Sequence, residues 1–442
     1  MLKANDGAVT RAEATRAFAK IGLLSFGGPA AQIAVMHRVL VDEKKWLSEK
    51  QFLHALNFCM LLPGPEAMQL ATYAGWLLHG VRGGVIAGLL FILPGLAMML
   101  ALAAAFVAFG DVPLMAGIFY GLKAAVIAVV LQALIKVSGK ALKTSAMYAI
   151  AAFAFVAIFF LRVPFPIIIL CAAIVGFMLW KLAPQLVPSN IDDDVVQPAT
   201  VKGQSPFNQT LQAVLFWGAI WLVPLALLVI VAGGFSGQAA LFFSQTAIVT
   251  FGGAYAVLAY VGQQAVEVYG WLTASDMLKG LGLAETTLGP LVLVLVFVGF
   301  LGGYNAAGNA LAGGFGGGLL AAFFTFIPCF LWIFAGAPHM ERLRHVRWLS
   351  ASLATVTAAV VGVILNLALW FGIAVLFGEP TYARNGIVWL PQVSFSTVDI
   401  VAMLIALAAS AALIKFKINL MFVLAVAALA GLIAVFSGLV VA

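Results

Sequence analysis

Charged residues are scarce in this chain of 442 residues, because only 9% are Asp, Glu, Lys or Arg, whereas 64% are hydrophobic. A soluble domain of this size could not keep such a surface in solution, so the composition predicts a polytopic membrane protein. Uncharged runs such as Gly83 to Gly110 and Trp348 to Gly378 are long enough to cross a hydrocarbon core of about 30 Å as helices. The alternation typical of a transmembrane barrel is missing, and we expect an all-α bundle.

Other signatures are also lacking. The chain has three widely spaced cysteines in apolar surroundings, and its five histidines show no spacing such as HExxH, so we predict no disulfide and no metal site. No GxxxxGK[ST] loop is present, which argues against ATP hydrolysis. The chain also lacks paired His/Asp or His/Glu residues at helical spacing on an inner helix face, and we predict no cofactor and no enzymatic activity. The first twenty residues lack the apolar core and cleavage site of a signal peptide. The net charge of +7 comes from basic residues set singly between apolar spans, which favours positive-inside membrane topology over binding to nucleic acid.

The sequence contains an internal repeat. A shift of 225 residues places Phe-Gly-Gly at 26–28 on 251–253, Trp-Leu-Ser at 46–48 on Trp-Leu-Thr at 271–273, and Gly-Pro at 64–65 on 289–290. Three separate motifs that align at a single shift indicate a duplicated unit. We expect a first membrane repeat unit over residues 1–180, a cytoplasmic linker rich in proline and acidic residues over 181–207, and a second, inverted membrane repeat unit over 208–442.

The topology follows from segment lengths. Four early pieces, Arg11 to Phe26, Pro29 to Leu40, Phe52 to Leu62 and Glu66 to Leu78, are too short to span and predict two re-entrant hairpins. Four full spans near 84–109, 112–135, 145–161 and 165–180, and a fifth near 211–232, separate them from the second copy. An odd number of crossings turns that copy over, and inverted repeats with broken helices are typical of secondary transporters.

Both copies contain a helix break inside an apolar run. The motif SFGGPA supplies Ser25, Gly27 and Gly28, and TFGGAY supplies Thr250, Gly252 and Gly253. A half-helix that starts after such a break leaves free N–H groups and a partial positive charge, which suit an anion. The alternative is that Gly-Gly permits close helix packing, as GxxxG spacing does at Gly84/Gly88 and Gly117/Gly121.

A second break in each copy adds hinges and carboxylates. Pro63-Gly64-Pro65 and Gly289-Pro290 are predicted hinges. Glu66 lies in the first turn after the first of them and would exchange a proton during transport, or would only cap its own helix. Further substrate-binding or charge-coupling candidates, each with a structural alternative such as snorkelling or satisfying a helix end, are Gln69, Thr286, Thr287, Asn305, Glu285 and Lys123. Glu285 is not the repeat equivalent of Glu66, because Glu66 falls on Leu291.

Several motifs resemble those of the chromate ion transporter family. They are FGGPAAQIAVMHRVLVDEKKWLSEKQFL, NFCMLLPGPEAMQLATYAGW and FILPG in the first half, and TFGGAYAVL, GLGLAETTLGPL and FVGFLGGYN in the second. The resemblance covers nearly the whole chain and implies a two-unit inner-membrane carrier with oppositely oriented halves that exports chromate. Leu288 stands where the family usually has proline, so the turn before Gly289 is expected to be less rigid.

Alternatives remain open at the level of the sequence. Sulfate has almost the size and shape of chromate, so a sulfate or other oxyanion carrier would share these features, as would an anion channel. We expect as partners the lipid bilayer, a chromate or sulfate ion and, through Glu66, protons. The sequence does not fix the oligomeric state, and a homodimer is one candidate.

Overall fold

The computed structural model describes residues 9–110, 112–186, 205–251, 254–340, 346–378 and 381–440, with the side chain of residue 256 left out. Within these ranges the protein is almost entirely helical. Six of the described helices are long and apolar enough to cross a membrane. The protein is therefore an all-α, multi-pass membrane protein, as its composition predicts.

The helices follow the chain order of the predicted segments. In the first half they are α1 (Arg11–Leu24), α2 (Gly28–His37), α3 (Glu49–Leu61), α4 (Glu66–Phe109), α5 (Pro113–Ala141), α6 (Ser145–Phe159) and α7 (Phe165–Leu182). In the second half they are α8 (Pro206–Leu227), α9 (Gly234–Val249), α10 (Ala254–Gly262), α11 (Ala274–Thr286), α12 (Val294–Ala306) and α13 (Leu311–Gly336), followed by Arg347–Phe377, Ile400–Ser410 and Leu420–Phe436. Most of the predicted linker lies outside the described residues.

The 225-residue repeat extends to the element boundaries. Helices α3 and α11 begin and end at equivalent residues, and the π-helical turns Arg38–Glu43 and Gln263–Val268 are equivalent as well. The capping residues also repeat: Ser48 Oγ accepts from the Gln51 N–H, and Thr273 Oγ1 accepts from the Asp276 N–H. A hydroxyl that satisfies a first-turn N–H fixes where a helix begins. The duplication is thus preserved in local structure.

Helix α4 is two helices joined at a sharp turn. His79 has φ −139° and ψ 24°, and Gly80 has φ 62° and ψ −155°, which no helix contains. The chain folds back there so closely that a Cβ on Gly75 would overlap the Gly83 carbonyl oxygen. Helices α12 and α13 form the corresponding pair in the second half. The short helical segment that begins at Glu66 and the long span that follows Gly80 are therefore separate helices, as predicted.

The chain divides into two compact units, and each draws on both halves of the sequence. The first compact unit comprises Met1–Leu100, Ser189–Gly253 and Thr287–Ser350. The second compact unit comprises Ala101–Pro188, Ala254–Thr286 and Ala351–Ala442. Compact units and sequence repeats are thus different divisions of the chain, and the repeat-unit boundaries at 180 and 208 stay a prediction, as does the opposite orientation of the repeats.

Small residues bring two helices together in the second compact unit. A Cβ on Gly121 of α5 would overlap the Ala427 carbonyl oxygen, and one on Gly431 would overlap the Gly117 carbonyl oxygen. Backbones that approach this closely associate through van der Waals contact, which drives helix packing in lipid. The predicted packing role of Gly117/Gly121 is confirmed by these contacts.

Gly121→Val is therefore expected to destabilise the protein by about 1–3 kcal/mol, because the added side chain forces the two backbones apart. The measurement is the thermal unfolding of the detergent-purified protein. Gly139→Val is the matched control, since Gly139 lies on the same helix and a Cβ there meets nothing within 4 Å. Equal melting temperatures for the two variants would contradict this account of the packing.

One element was not predicted. Strands β1 (Thr381–Asn385) and β2 (Val388–Gln392) form an antiparallel hairpin, in a segment to which the sequence analysis assigns no element. Asn-Gly at 385–386 supplies the turn, with Gly386 at φ 65°, and Asn-Gly is the strongest short hairpin signal. The Trp389 N–H donates to the Phe160 carbonyl at 2.8 Å, which attaches the hairpin to the chain just after α6.

Candidate functional site

The first helix break lies where the SFGGPA motif predicts it. Helix α1 ends at Leu24, and Ser25 Oγ turns back to donate to the Ile21 carbonyl at 2.6 Å. Gly27 and Gly28 have φ values of 82° and 80°, a left-handed conformation that side chains with a Cβ rarely adopt. Helix α2 then begins at Gly28 with a proline in its first turn, where no intrahelical N–H is needed.

The second copy repeats this arrangement over its described residues. Helix α9 ends at Val249, α10 begins at Ala254, and Thr250 Oγ1 donates to the Thr246 carbonyl at 2.5 Å. Thr250 and Thr246 are the repeat equivalents of Ser25 and Ile21. The predicted site residues Gly252 and Gly253 lie outside the described residues. The chain is thus not one continuous helix at either copy of the motif.

Two reciprocal hydrogen bonds join these breaks to the hinge glycines. The Gly289 N–H donates to the Ser25 carbonyl at 2.9 Å, and the Gly64 N–H donates to the Thr250 carbonyl at 2.8 Å. Each bond connects one repeat to the other. The two bonds are equivalent under the 225-residue shift, because Gly64 corresponds to Gly289 and Ser25 corresponds to Thr250. We use the name helix-break cluster for the two bonded pairs with their flanking residues, Ser25–Gly28 with Leu288–Pro290 and Pro63–Pro65 with Thr250, both of which belong to the first compact unit.

Two buried glutamines complete the helix-break cluster. Gln32 Nε2 donates to the Gly289 carbonyl at 2.5 Å, and Gln69 Nε2 donates to the Pro63 carbonyl at 2.7 Å. Both side chains are fully buried, and neither Oε1 atom has a hydrogen-bond partner among the described residues. Because a buried polar atom without a partner is costly, two such atoms indicate a place for water or a ligand that donates a hydrogen bond.

Gln32 was missed at the level of the sequence. Its signal was a single amide within the otherwise apolar α2, four residues after Gly28, and such a residue is expensive in a membrane unless it is bonded. Gln69 was predicted, and the structure places it at the Pro63 hinge. Both hinge glycines have left-handed φ values, 127° at Gly64 and 78° at Gly289, so the turn before Gly289 forms even though Leu288 replaces the proline usual there.

The charged candidates are distributed over both compact units. Glu66 is half-buried at the start of α4, directly after Pro65, in the first compact unit. Glu285 is 3% exposed in the second compact unit, and its Oε1 accepts from the Tyr255 hydroxyl at 2.6 Å. Tyr255, which ends the TFGGAY motif, was not singled out from the sequence. The predicted roles of both carboxylates in charge coupling stay predictions.

Lys123 belongs to the second compact unit and is half-buried on α5. Its Nζ lies 5.8 Å from the centroid of the Tyr120 ring, a distance at which a cation is attracted to an aromatic face. The Tyr120 hydroxyl in turn donates to Asp399 Oδ1 at 2.6 Å. Lys123 is thus close to a partly buried polar pair of its own unit, and its predicted role in charge coupling stays a prediction.

The remaining polar candidates have different surroundings. Thr286 Oγ1 donates to the Leu283 carbonyl of its own helix at 2.8 Å, whereas Thr287 is 2% exposed beside the Leu288–Pro290 break. Asn305 is exposed at the end of α12. Among the described residues, no three His, Cys, Asp or Glu side chains come together as they would at a metal site.

One family description matches both halves of the chain. The Chromate transporter family matches residues 12–177 and again 237–432, and the two matches begin 225 residues apart. The chain belongs to the chromate transporter family. Both helix-break motifs lie inside the matched regions.

The chain is also similar to individual members with that name. It is 31% identical to the probable chromate transport protein of Synechococcus elongatus over 83% of this chain and 86% of that protein. It is 28% identical to the chromate transport protein of Cupriavidus metallidurans over 94% and 91% of the two chains. It is 32% identical to the chromate transport protein of Pseudomonas aeruginosa over 78% and 77%. No solved structure matches this chromate transporter family member.

Proposed function

We propose that this protein is a secondary transporter that exports chromate across the inner membrane. The observation that carries the proposal is the pair of reciprocal bonds, Gly289 to Ser25 and Gly64 to Thr250. These bonds satisfy backbone groups that the breaks release, and in a membrane such irregular backbone is tolerated only where it is buried or lines a cavity. The relatives named chromate transport proteins supply the substrate class.

The oxyanion would bind at the helix-break cluster. Helix α2 begins at Gly28, beside the Ser25–Gly289 pair, and α4 begins at Glu66, beside the Gly64–Thr250 pair. The first-turn N–H groups of a helix carry a partial positive charge. Such termini suit a tetrahedral anion without the need for a buried cation. The unmatched Oε1 atoms of Gln32 and Gln69 would accept from water around the ion, or from the hydroxyl of a protonated oxyanion.

The direction of transport is favoured by the membrane potential. With a negative interior, each elementary charge that leaves gains about 2.3 kcal/mol per 100 mV, and a dianion gains roughly twice that. A carrier of this kind would expel chromate even without a second gradient. Proton coupling through Glu66, and opposite orientation of the two repeats, are part of the proposal.

The test is counterflow of labelled chromate in proteoliposomes. We expect saturable transport that unlabelled chromate on the opposite side accelerates, and net outward movement when the interior is made negative with potassium and valinomycin. Cells that express the gene should accumulate less chromate than cells with an empty vector. Increased accumulation would overturn export, and conductance in planar bilayers without acceleration by the opposite-side anion would indicate a channel. Stronger counterflow with sulfate than with chromate would favour the sulfate carrier.

A further inference from the structure

A small polar cavity lies within the second compact unit. It is formed by the end of α6, by α10 and the π-helical turn after it, by the helix Arg347–Phe377 and by strand β1. Its polar and aromatic lining residues are Phe159, Arg162, Gln263, Glu267, Asn366, Trp370 and Tyr382. The topology predicted from the sequence would put the loop that holds Arg162, between α6 and α7, on the outer side of the membrane.

Arg162 is held in place by aromatic rings and one carboxylate. Its guanidinium carbon lies 4.0 Å from the centroid of the Tyr382 ring and 4.9 Å from that of Trp389. Its Nη1 lies 3.3 Å from Glu267 Oε2, with the two side chains only 25% and 21% exposed. Arg162 also has φ 51°, which a residue with a Cβ seldom adopts. A cation fixed in this way is preorganised for planar recognition of an anion.

Two buried polar atoms of the cavity are unmatched. Trp370 is 6% exposed, and neither its Nε1 nor Gln263 Oε1 has a hydrogen-bond partner among the described residues. An indole N–H is only a donor, so it requires an acceptor. Burial also raises the pKa of Tyr382 to about 12, and its hydroxyl therefore stays protonated at neutral pH. A guanidinium, an unmatched N–H and a phenol together suit a ligand that accepts hydrogen bonds, whereas the unmatched Gln263 oxygen would accept from water or from the hydroxyl of a protonated oxyanion.

We propose that this cavity binds a tetrahedral oxyanion at Arg162 and Trp370, in competition with the Glu267 carboxylate. The Glu267 carboxylate pairs with the Arg162 guanidinium when the cavity holds no anion. A bound oxyanion takes the place of the carboxylate beside the guanidinium. Gln263 and Glu267 share the π-helical turn Gln263–Val268, and turns of this kind are frequent at functional sites. The proposed binding of an oxyanion in this cavity does not depend on the transport proposal. The assignment of the cavity as a binding site at the outer end of the export route rests on the proposed function.

The experiment measures binding of radiolabelled sulfate to the purified full-length protein in detergent. Glu267→Gln is expected to raise the affinity about five- to tenfold, because it removes the competing charge and keeps the shape. Trp370→Phe is expected to lower the affinity about tenfold, the scale of one lost hydrogen bond to a charged ligand. Arg162→Gln should lower it by roughly a hundredfold, since it removes the cation.

Trp332→Phe is the matched control. Trp332 Nε1 is also buried without a partner among the described residues, but Trp332 does not line this cavity, so its variant should bind sulfate as the unmodified protein does. Because Arg162 also holds the hairpin, Glu267→Gln and Trp370→Phe carry the test if Arg162→Gln fails to fold.

Unchanged sulfate affinity in both Glu267→Gln and Trp370→Phe would overturn the proposal, as would a Glu267→Gln variant that binds more weakly. The proposed function fails separately, through absent chromate transport in proteoliposomes. In that case opposite shifts for Glu267→Gln and Trp370→Phe would still establish the oxyanion site. A Gly28→Leu protein that has lost transport but still binds sulfate with these shifts would place binding in the cavity rather than at the helix-break cluster.

Discussion

Gly28→Leu is expected to abolish chromate export while the protein remains in the membrane. Gly28 has φ 80°, and a Cβ there would meet nothing within 4 Å, so the effect would come from the backbone and not from a clash. Forcing a residue with a Cβ into a left-handed conformation costs about 1–2 kcal/mol, which corresponds to roughly tenfold in an equilibrium. Relief of that strain would move the start of α2 and displace its N-terminal amides. The measurement is chromate efflux from cells, with immunoblotting of membranes.

A graded series separates backbone strain from side-chain size. Gly28→Asn should retain more export than Gly28→Ala or Gly28→Leu, because asparagine adopts the left-handed conformation most readily of these three. Gly218→Leu is the control in the same compact unit, since Gly218 is helical and its Cβ position is also open within 4 Å. Normal export by Gly28→Leu would remove the broken helix from the mechanism.

The second large effect is expected from Glu66→Gln. The amide keeps the shape of the side chain at the start of α4 but cannot bind or release a proton, so we expect export to fall about tenfold and to lose its response to an imposed pH gradient. The measurement is chromate transport in proteoliposomes with the pH gradient and the membrane potential set separately. A carboxylate at a helix N-terminus also favours the helix, so the thermal stability of the variant is measured in parallel.

Glu66→Asp is the conservative partner of this variant. It keeps the carboxylate at the first position of the helix, and we expect it to recover the response to the pH gradient even if the rate stays reduced. Full chromate resistance of the Glu66→Gln strain at normal expression would reject proton transfer at Glu66 and leave Glu285 as the remaining carboxylate to test.

The local features of the fold were predictable because they depend on neighbours in the chain. Glycine and proline mark the breaks at Ser25–Gly28 and Pro63–Pro65, where the backbone must leave the helix, and a fixed shift shows the repeat. The capping residues that start α3 and α11 are also visible in the sequence. Even Asn385-Gly386 carries a hairpin signal, which the apolar character of the surrounding chain concealed.

Contacts between distant segments could not be predicted in the same way. The bond from Gln32 to Gly289 joins residues 257 positions apart, and no pattern around Gln32 names that partner. Tyr255 and Glu285 are each ordinary within their own helices, and only the fold brings the hydroxyl to the carboxylate. The aromatic neighbours of Arg162 come from a hairpin more than two hundred residues further along the chain, so nothing near Arg162 in the sequence indicates them.

Each repeat depends on the other for its backbone hydrogen bonds at the helix breaks. Gly64 bonds to Thr250 of the second repeat, and Gly289 bonds to Ser25 of the first. A chain shortened to either repeat would keep one carbonyl and one N–H group without their partners, and unpaired backbone groups are costly in hydrocarbon. Fusing the copies into one polypeptide therefore guarantees that every molecule carries the complementary half in equal amount. It also frees the two copies to diverge, so that Gln32 and Gln69 of the first copy have Val257 and Val294 as their counterparts in the second.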